Sequence, residues 1–253
     1  MASGSKGNAI WIEAGEARLL VDAGLSCREL ERRMVQVGLK PGRLTAVLVS
    51  HEHRDHVAGV GALARRYRLP VYMNRATLGA CRDQLGKLQV RHFKTGEGFE
   101  LDGLAIRPFS VSHDAADPVG FTFIFEGLKL GLATDLGVVT NLVKDHLKSC
   151  QALILEANHD PRMLLDGPYP WELKRRVQGR HGHLSNPDAA KALAEVKHAG
   201  LLRVVLAHLS ETNNLPDKAL AEVGPVFSKP AGRTQLTTAC QDRPTERYKL
   251  GGS

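Results

Sequence analysis

The 253-residue sequence has no long apolar run and only four cysteines. No hydrophobic stretch approaches the roughly 18 residues that a membrane-spanning helix needs, and residues 1–8 show no basic-then-apolar signal pattern. The cysteines form no C-x-x-C pair, which excludes a zinc ribbon and a thioredoxin-type redox motif. We therefore expect a cytoplasmic protein with reduced thiols and no membrane partner.

Internal repeats, low-complexity tracts and linkers are also lacking. Hydrophobic residues make up 43% and charged residues 24% of the chain, which are ordinary proportions for a globular protein. A chain of this length can bury one large core, so we expect a single domain over residues 1–253. The formal net charge of +7 favours a polyanionic partner such as nucleic acid, although many basic enzymes bind none.

Hydrophobic patterning predicts a β-rich first half followed by alternating helices and strands. Strands are predicted at residues 9–13, 18–22 and 46–50, and a helix at residues 57–67. Strands and helices occur in both halves without a break in composition. The pattern favours two β-sheets packed together and flanked by helices.

The later part of the chain carries two further predictions. Asn186 is placed at a helix N-cap, with Pro187 in the first turn. Residues 234–240 and 247–250 have the pattern of a hairpin at a sheet edge.

The strongest chemical signal is the hexad His-Glu-His-Arg-Asp-His at residues 51–56, directly after a predicted strand. Residues two apart on an extended backbone point to the same side, so His51 and His53 can meet one metal ion. Asp55 and His56 enter the next helix and can turn toward a second ion. A solvated polar loop is the alternative, but this pattern would arise by chance in roughly one such sequence in a thousand.

With this hexad the sequence resembles the metallo-β-lactamase superfamily. That resemblance implies an α/β (α+β) protein with the four-layer αββα fold, in which two mixed β-sheets pack face to face with helices outside. Four further motifs match in the family's order, each at the end of a predicted strand. They are Leu-Val-Asp ending at Asp22, Ser-Val-Ser-His ending at His113, Ala-Thr-Asp ending at Asp135 and Leu-Ala-His ending at His208.

The resemblance implies two divalent metal ions and a residue for each coordination role. His51, His53 and His113 hold the first ion. Asp55, His56 and His208 hold the second. Asp135 bridges the two ions, and Asp22 is a buried acid that orients the ligand loop. Nitrogen-rich sites with a bridging carboxylate suit Zn²⁺ but also accept Mn²⁺ or Fe²⁺.

Other motifs resemble particular branches of the superfamily. Gly-His-Leu-Ser-Asn at residues 182–186 is similar to the His-Ser-Thr-Ala segment of ribonuclease Z, whose histidine protonates the leaving oxygen, so His183 is the implied acid. Ser-Gly-Ser-Lys-Gly-Asn at residues 3–8, Asn-His-Asp at 158–160 and Leu-Ser-Glu-Thr-Asn-Asn at 209–214 are similar to the YycJ (WalJ) subgroup. That subgroup is associated with 5′-to-3′ exonuclease activity on DNA.

Three groups of residues are candidates for contact with the substrate: a polar opening loop that can cradle phosphate, a histidine after a buried strand and a basic run before His183. Their members are Ser3, Ser5, Asn8, His159, Lys174, Arg175 and Arg176. Each group also has a plainer interpretation, which is a chain terminus, a satisfied polar turn and a solvated charged face, respectively.

The sequence therefore predicts a dinuclear metal-dependent phosphodiesterase, with 5′-to-3′ DNA exonuclease as the implied activity. His183 is the predicted proton donor, while Asp55 and Asp135 hold the metals that activate water. A small-molecule metallohydrolase, such as a cyclic phosphodiesterase or a thioesterase, is the alternative. A non-catalytic nucleic-acid-binding protein is a third. The sequence leaves open the metal, the choice of DNA or RNA, the strand polarity and the oligomeric state.

Overall fold

The computed structural model describes residues 1–228 and 234–251. The chain divides into two compact units. The first comprises Met1–Pro108, Ala115–Val119 and Cys240–Lys249. The second comprises Phe109–Asp114 and the described residues of Gly120–Ala239 and Leu250–Ser253. The single domain expected over residues 1–253 stays a prediction.

The first unit contains a five-stranded sheet in the order β1-β2-β3-β4-β5. Its strands are β1 Ile10–Ala14, β2 Ala17–Val21, β3 Ala46–Leu48, β4 Val71–Met73 and β5 Val90–His92. β1 and β2 form an antiparallel hairpin, and the remaining pairs are parallel. Because β2 and β3 are parallel, their carboxyl ends meet at one edge, where Asp22 and the hexad follow them.

Four helices accompany this sheet: α1 Cys27–Gln36, α2 Arg54–Val57, α3 Val60–Tyr67 and α4 Arg75–Leu85. The helix predicted at residues 57–67 is split between α2 and α3. The Gly59 amide donates to the Ala23 carbonyl oxygen at 2.7 Å, and a Cβ at Gly59 would lie 2.0 Å from the Leu25 carbonyl oxygen. This close approach of the loop after β2 interrupts the helix.

Within residues 1–228 and 234–251, a second sheet has seven strands in the order β12-β11-β10-β9-β8-β7-β6. The strands are β6 Phe99–Leu101, β7 Leu104–Ser110, β8 Val119–Phe125, β9 Leu128–Ala133, β10 Ala152–Glu156, β11 Arg203–Ala207 and β12 Gln235–Thr238. β9, β10, β11 and β12 are parallel neighbours, whereas β8 and β9 are antiparallel, so the sheet is mixed. The helices between these strands are α5 Asn141–Leu147, α6 Pro161–Asp166, α7 Trp171–Gln178, α8 Asn186–Val196 and α9 Pro216–Val223. None of the helices in the described part of the chain is long and apolar enough to cross a membrane.

The edge hairpin predicted at residues 234–240 and 247–250 is wrong. β12 pairs parallel with β11, with Gln235 opposite Arg203, and residues 247–250 form no strand. The Ala239 amide still donates to Leu206 at 2.8 Å, but the chain then leaves this sheet. The carbonyl of Cys240 accepts instead from the Ser3 amide in the opening loop.

The N-cap of α8 is also one residue earlier than predicted. The Ser185 hydroxyl accepts from the Asp188 amide at 3.2 Å, while Asn186 is the first helical residue. Asn186 is buried, and its side-chain amide donates to Asn214 Oδ1 at 2.9 Å. A serine N-cap with an acid in the first turn satisfies the free amides as well as an asparagine would. The asparagine is therefore available for the tertiary contact.

Candidate metal centre

Three predicted site residues adopt left-handed backbone conformations directly after or close to a strand end. Asp22 has φ 60° after β2, Asp135 has φ 57° two residues beyond β9, and His208 has φ 55° after β11. Residues other than glycine rarely adopt this region, which costs on the order of 1 kcal/mol or more. Such strain persists where the surroundings fix it, and functional sites are the usual place.

Asp22 organises the hexad within the first unit. Its buried carboxylate accepts from the Ser50 amide and from the Ser50 hydroxyl, both at 2.8 Å, and lies 2.8 Å from His56 Nδ1. Two residues later, a Cβ at Gly24 would lie 1.6 Å from the Asp55 carbonyl oxygen. The loop after β2 therefore needs glycine in order to approach the hexad. The Asp22 carboxylate contacts both Ser50 and His56, and its role as an orienting acid stays a prediction.

The hexad brings its imidazoles together. The ring centroid of His51 lies 4.7 Å from that of His53 and 4.0 Å from that of His56. His51 Nδ1 is 3.0 Å from the Ser50 hydroxyl, and His56 Nε2 is 3.5 Å from Asp55 Oδ2. When Nδ1 of a histidine is engaged by a carboxylate or hydroxyl, Nε2 is the nitrogen oriented for a metal.

The second unit holds the other predicted ligands. His113 Nδ1 is 3.1 Å from the Gly182 carbonyl oxygen, and burial lowers the pKa of His113, which favours the neutral imidazole that a metal needs. His208 Nδ1 lies 3.1 Å from Glu156 Oε1, and its Nε2 lies 3.3 Å from Asp135 Oδ1. Both histidines therefore have a partner at Nδ1, as in the first unit.

Glu156 was not predicted as a functional residue. It ends the apolar strand β10, is completely buried, and accepts from the amides of Leu136 and Leu184. Its Oε1 also lies 2.8 Å from His183 Nδ1. Burial opposes its ionisation, but the facing His183 and His208 outweigh burial and hold the pKa of Glu156 below its usual value. A charged residue at the end of an otherwise apolar central strand was the signal that could have identified it.

His183 lies between two ligand candidates. Its ring centroid is 5.1 Å from that of His113 and 5.1 Å from that of His208. Burial works against the imidazolium, but the Glu156 carboxylate outweighs it and raises the pKa of His183. With Nδ1 on Glu156, the other ring nitrogen is the one that can carry a proton toward a substrate.

Within the second unit, four residues have ligand atoms within 4.8 Å of one another. They are Asp135, Glu156, His183 and His208. Glu156 Oε1 and His183 Nδ1 already pair with each other. Asp135 and His208 are therefore the donors in this group that are most suited to a metal. Imidazoles fixed at Nδ1 together with buried carboxylates form a donor set that fits a divalent transition metal.

The opening loop differs from a simple phosphate cradle. Ser3 is buried and Ser5 is exposed. Asn8 is buried, and its side-chain amide lies 3.1 Å from Asp55 Oδ2 and 3.0 Å from His56 Nε2. This loop therefore brings an amide against two predicted ligands.

His159 is only 2% exposed, and its backbone pairs with Ser185 ahead of α8. Its Nδ1 has no hydrogen-bond partner within the part of the chain that the structure describes. Burial lowers the pKa of His159 to about 4, so the ring is neutral near neutral pH. Contact of His159 with substrate stays a prediction.

Helix α7 carries the predicted basic run. Lys174 donates to the Leu165 carbonyl at 2.6 Å, and Arg176 binds the Asp114 carboxylate through Nε at 2.7 Å and Nη2 at 2.6 Å. Arg175 is exposed. Two of the three cations are thus engaged within the protein.

Sequence comparison identifies relatives over nearly the whole chain. A family model described as "Beta-lactamase superfamily domain" matches residues 17–209. Exodeoxyribonuclease YycJ of Bacillus anthracis is 40% identical over 232 residues, covering 90% of this chain and 88% of the relative. Exodeoxyribonuclease WalJ of Streptococcus pneumoniae is 37% identical over 224 residues, covering 87% and 83%. The chain belongs to the metallo-β-lactamase superfamily.

Solved structures share the fold of this chain. The metallo-β-lactamase fold protein YhfI of Bacillus subtilis has a TM-score of 0.71 at 18% identity, covering 95% of this chain and 92% of that protein. Zn²⁺-bound PqqB of Methylobacterium extorquens has a TM-score of 0.69 at 20% identity, covering 92% and 85%. The predicted resemblance is confirmed, as is the α/β fold class with two mixed sheets and helices.

Proposed function

We propose that this protein is a metal-dependent exodeoxyribonuclease that hydrolyses DNA from the 5′ end. The observation that carries the proposal is the pairing of His183 with buried Glu156, next to the donors Asp135 and His208. That pairing supplies a proton donor beside a metal-binding set, as phosphodiester hydrolysis requires. Similarity to YycJ and WalJ over 87–90% of the chain supports DNA as the substrate.

The proposed centre uses both donor sets and two divalent ions, with Zn²⁺ or Mn²⁺ as first choices and Fe²⁺ as a third. The residues that would hold these ions are His51, His53, Asp55, His56, His113, Asp135 and His208, and Asp135 is proposed to serve both ions. When bound, such ions lower the pKa of water and polarise a phosphoryl oxygen. Two buried carboxylates orient these ligands. Asp22 contacts Nδ1 of His56, and Glu156 contacts Nδ1 of His208.

The chain's own residues would supply the rest of the chemistry. His183 would give a proton to the departing sugar oxygen, a contribution of roughly 10²–10⁴ in rate. The Glu156 carboxylate would hold the ring and favour its protonated form before transfer. Breaking the bond between phosphorus and the 3′ oxygen of the sugar would leave a 5′-phosphate on the product.

Helix α7 offers a surface for the nucleic acid. Trp171 is 61% exposed at its first position, and Arg175 is exposed one turn later. A ring can stack on an unpaired base and a guanidinium can neutralise a phosphate. These two side chains support nucleic acid over a small-molecule substrate.

The test uses Mn²⁺- or Zn²⁺-reconstituted protein with single- and double-stranded DNA and RNA, each labelled at the 5′ or the 3′ end. A 5′-to-3′ exonuclease releases a labelled mononucleotide at once from the 5′-labelled strand, whereas a 3′-labelled strand shortens progressively. The Asp135→Ala variant, purified in parallel, controls for contaminating nucleases. Faster turnover of a cyclic phosphodiester or a thioester than of DNA would replace this function with the small-molecule alternative.

A further inference from the structure

We propose that Asn8 is a positioning residue for Asp55, and that Gln241 near the end of the chain holds the loop that carries it. The inference rests on the proposed function, because it takes Asp55 and His56 to be metal ligands. It assigns the opening loop to the metal centre and not to phosphate binding. All the residues involved belong to the first unit.

Asn8 is fastened to the hexad through both its main chain and its side chain. Its backbone amide donates to the Asp55 carbonyl at 2.7 Å, and its Nδ2 lies 3.1 Å from Asp55 Oδ2. The same Nδ2 lies 3.0 Å from His56 Nε2. Asn8 is only 5% exposed, so these contacts are shielded from water. A single amide therefore reaches two of the three ligand candidates of the proposed second ion.

The chemistry of the amide suits a supporting role. A carboxylate can accept the amide on one oxygen and still offer lone pairs to a metal, whereas the neutral ring nitrogen of His56 has one lone pair. Metal on that nitrogen would replace its contact with Asn8, and the bond to Asp55 would remain. Hydrogen bonds of this kind fix the orientation of a ligand and commonly change metal affinity by about 10–100-fold.

The conformation of Asn8 is set by its own loop. The Gly4 amide donates to Asn8 Oδ1 at 2.8 Å, which fixes the direction of the side-chain amide, and the Gly24 amide donates to the Asn8 carbonyl at 2.9 Å. Gly4 and Gly7 have φ 144° and 148°, values that favour glycine. A Cβ at Gly7 would also lie 2.5 Å from Leu25 Cδ2. The folded loop is therefore closely packed. In the unfolded chain, its glycines give the same segment more conformational freedom.

Gln241 supplies the second attachment. Its Oε1 accepts from the Lys6 amide at 2.8 Å and its Nε2 donates to the Gly7 carbonyl at 2.9 Å, so one side chain spans the turn before Asn8. The main-chain carbonyl of Gln241 accepts from Nη1 of buried Arg33 at 2.8 Å. The same Arg33 nitrogen lies 3.1 Å from the Met1 carbonyl oxygen. Arg33 thus connects Met1 and Gln241 to helix α1.

The experiment measures Zn²⁺ affinity of metal-free protein by chelator competition, together with the melting temperature of the metal-free protein. Asn8→Ala is expected to weaken one of the two ions by about 10–100-fold while the other stays near wild type. Nuclease activity of this variant should recover as Zn²⁺ is raised. Gln241→Ala should weaken the same ion by about two- to ten-fold, comparable to one ordinary hydrogen bond.

Two further variants separate positioning from general damage. Gln241→Glu keeps the acceptor for the Lys6 amide but loses the donor to Gly7, so its affinity should lie between those of wild type and Gln241→Ala. Asp242→Asn changes an exposed neighbour and should match wild type.

Three outcomes would overturn the inference, each in a distinguishable way. Unchanged Zn²⁺ affinity with a lower melting temperature in Asn8→Ala would make the loop purely structural. Unchanged affinity with a raised KM for DNA, but not for a nitrophenyl phosphodiester, would make Asn8 a substrate contact. Wild-type protein that binds none of Zn²⁺, Mn²⁺ and Fe²⁺ would remove the proposed function itself, and this inference with it.

Discussion

At the residue scale, the Glu156 carboxylate contacts two histidines for which different roles are proposed. One carboxylate oxygen lies 2.8 Å from His183 Nδ1 and 3.1 Å from His208 Nδ1. For His208 the contact leaves Nε2 to a metal, and for His183 it leaves the far nitrogen to a substrate. Under the proposed function, the same carboxylate would support both ligation by His208 and proton transfer by His183. Its other oxygen is fixed by the amides of Leu136 and Leu184.

Replacing His183 tests proton transfer separately from ligation. His183→Ala should keep its metals and lose roughly 10²–10⁴ in rate on DNA, whose leaving sugar oxygen needs a proton. A nitrophenyl phosphodiester has a good leaving group and should lose much less. Steady-state kinetics on both substrates, with elemental analysis of the protein, make the comparison. Equal losses on the two substrates would contradict the acid role.

At the element scale, the charged face of helix α1 contacts Gln241, whose side chain contacts the opening loop. Glu29 accepts from Arg32 Nε at 2.8 Å and from Arg33 Nε at 2.7 Å. Its backbone amide is bonded to the Ser26 hydroxyl at the N-cap. Glu29 thereby fixes Arg33, whose Nη1 reaches the carbonyl of Gln241.

This arrangement predicts a pH-dependent stability. Hydrogen bonds from Arg32 and then Arg33 lower the pKa of Glu29 from 4.5 to about 2. Because the folded-state pKa is depressed, the stabilisation is complete above pH 4.5 and is lost as pH falls from there toward about 2. Glu29→Gln should cost about 1 kcal/mol at pH 7, since the pair is partly exposed and screened.

Urea denaturation of Glu29→Gln and wild type between pH 7 and pH 3 checks this expectation. The difference in unfolding free energy should shrink below pH 4.5. Glu222→Gln, an exposed substitution on α9, serves as the control and should remain within about 0.5 kcal/mol of wild type throughout. A difference for Glu29→Gln that persists unchanged at pH 3 would disprove the linkage.

Helix α7 leads to a prediction about the salt dependence of DNA binding. Each cation that neutralises a phosphate contributes about −0.7 to the slope of log affinity against log salt on single strands. Arg175 is exposed, whereas Arg176 is already neutralised by Asp114. Arg175→Gln should therefore reduce the slope by about 0.7, and Arg176→Gln by less. Binding titrations at several salt concentrations measure both, and an unchanged slope for Arg175→Gln would remove α7 from the DNA path.

At the scale of the whole molecule, local sequence patterns predicted the first three strands, at residues 9–13, 18–22 and 46–50, within two residues of their observed bounds. They also predicted the candidate metal-binding motifs at strand ends. The apolar run before His208 gave β11 at Arg203–Ala207, because a central strand is buried on both faces. What the patterns missed depends on contacts distant in sequence. Asn8 reaches Asp55 across 47 positions, and Lys6 reaches Gln241 across 235. No periodicity encodes such contacts.

The distribution of the proposed ligands leads to a prediction for the stability of the whole chain. The ligands span residues 51–208, so an unfolded chain cannot present them together, and metal should bind the folded state selectively. One ion at 100 times its Kd would add about 2.7 kcal/mol, or about 5–10 °C in Tm for a chain of this length. Calorimetric scans with increasing Zn²⁺ should show Tm rising with concentration, and scans in EDTA should give the lowest value. Asp135→Ala, which lacks the proposed bridge, should gain less than wild type at every concentration. A Tm that is the same in EDTA and in excess Zn²⁺, Mn²⁺ or Fe²⁺ would show that these residues do not hold a metal in the folded protein.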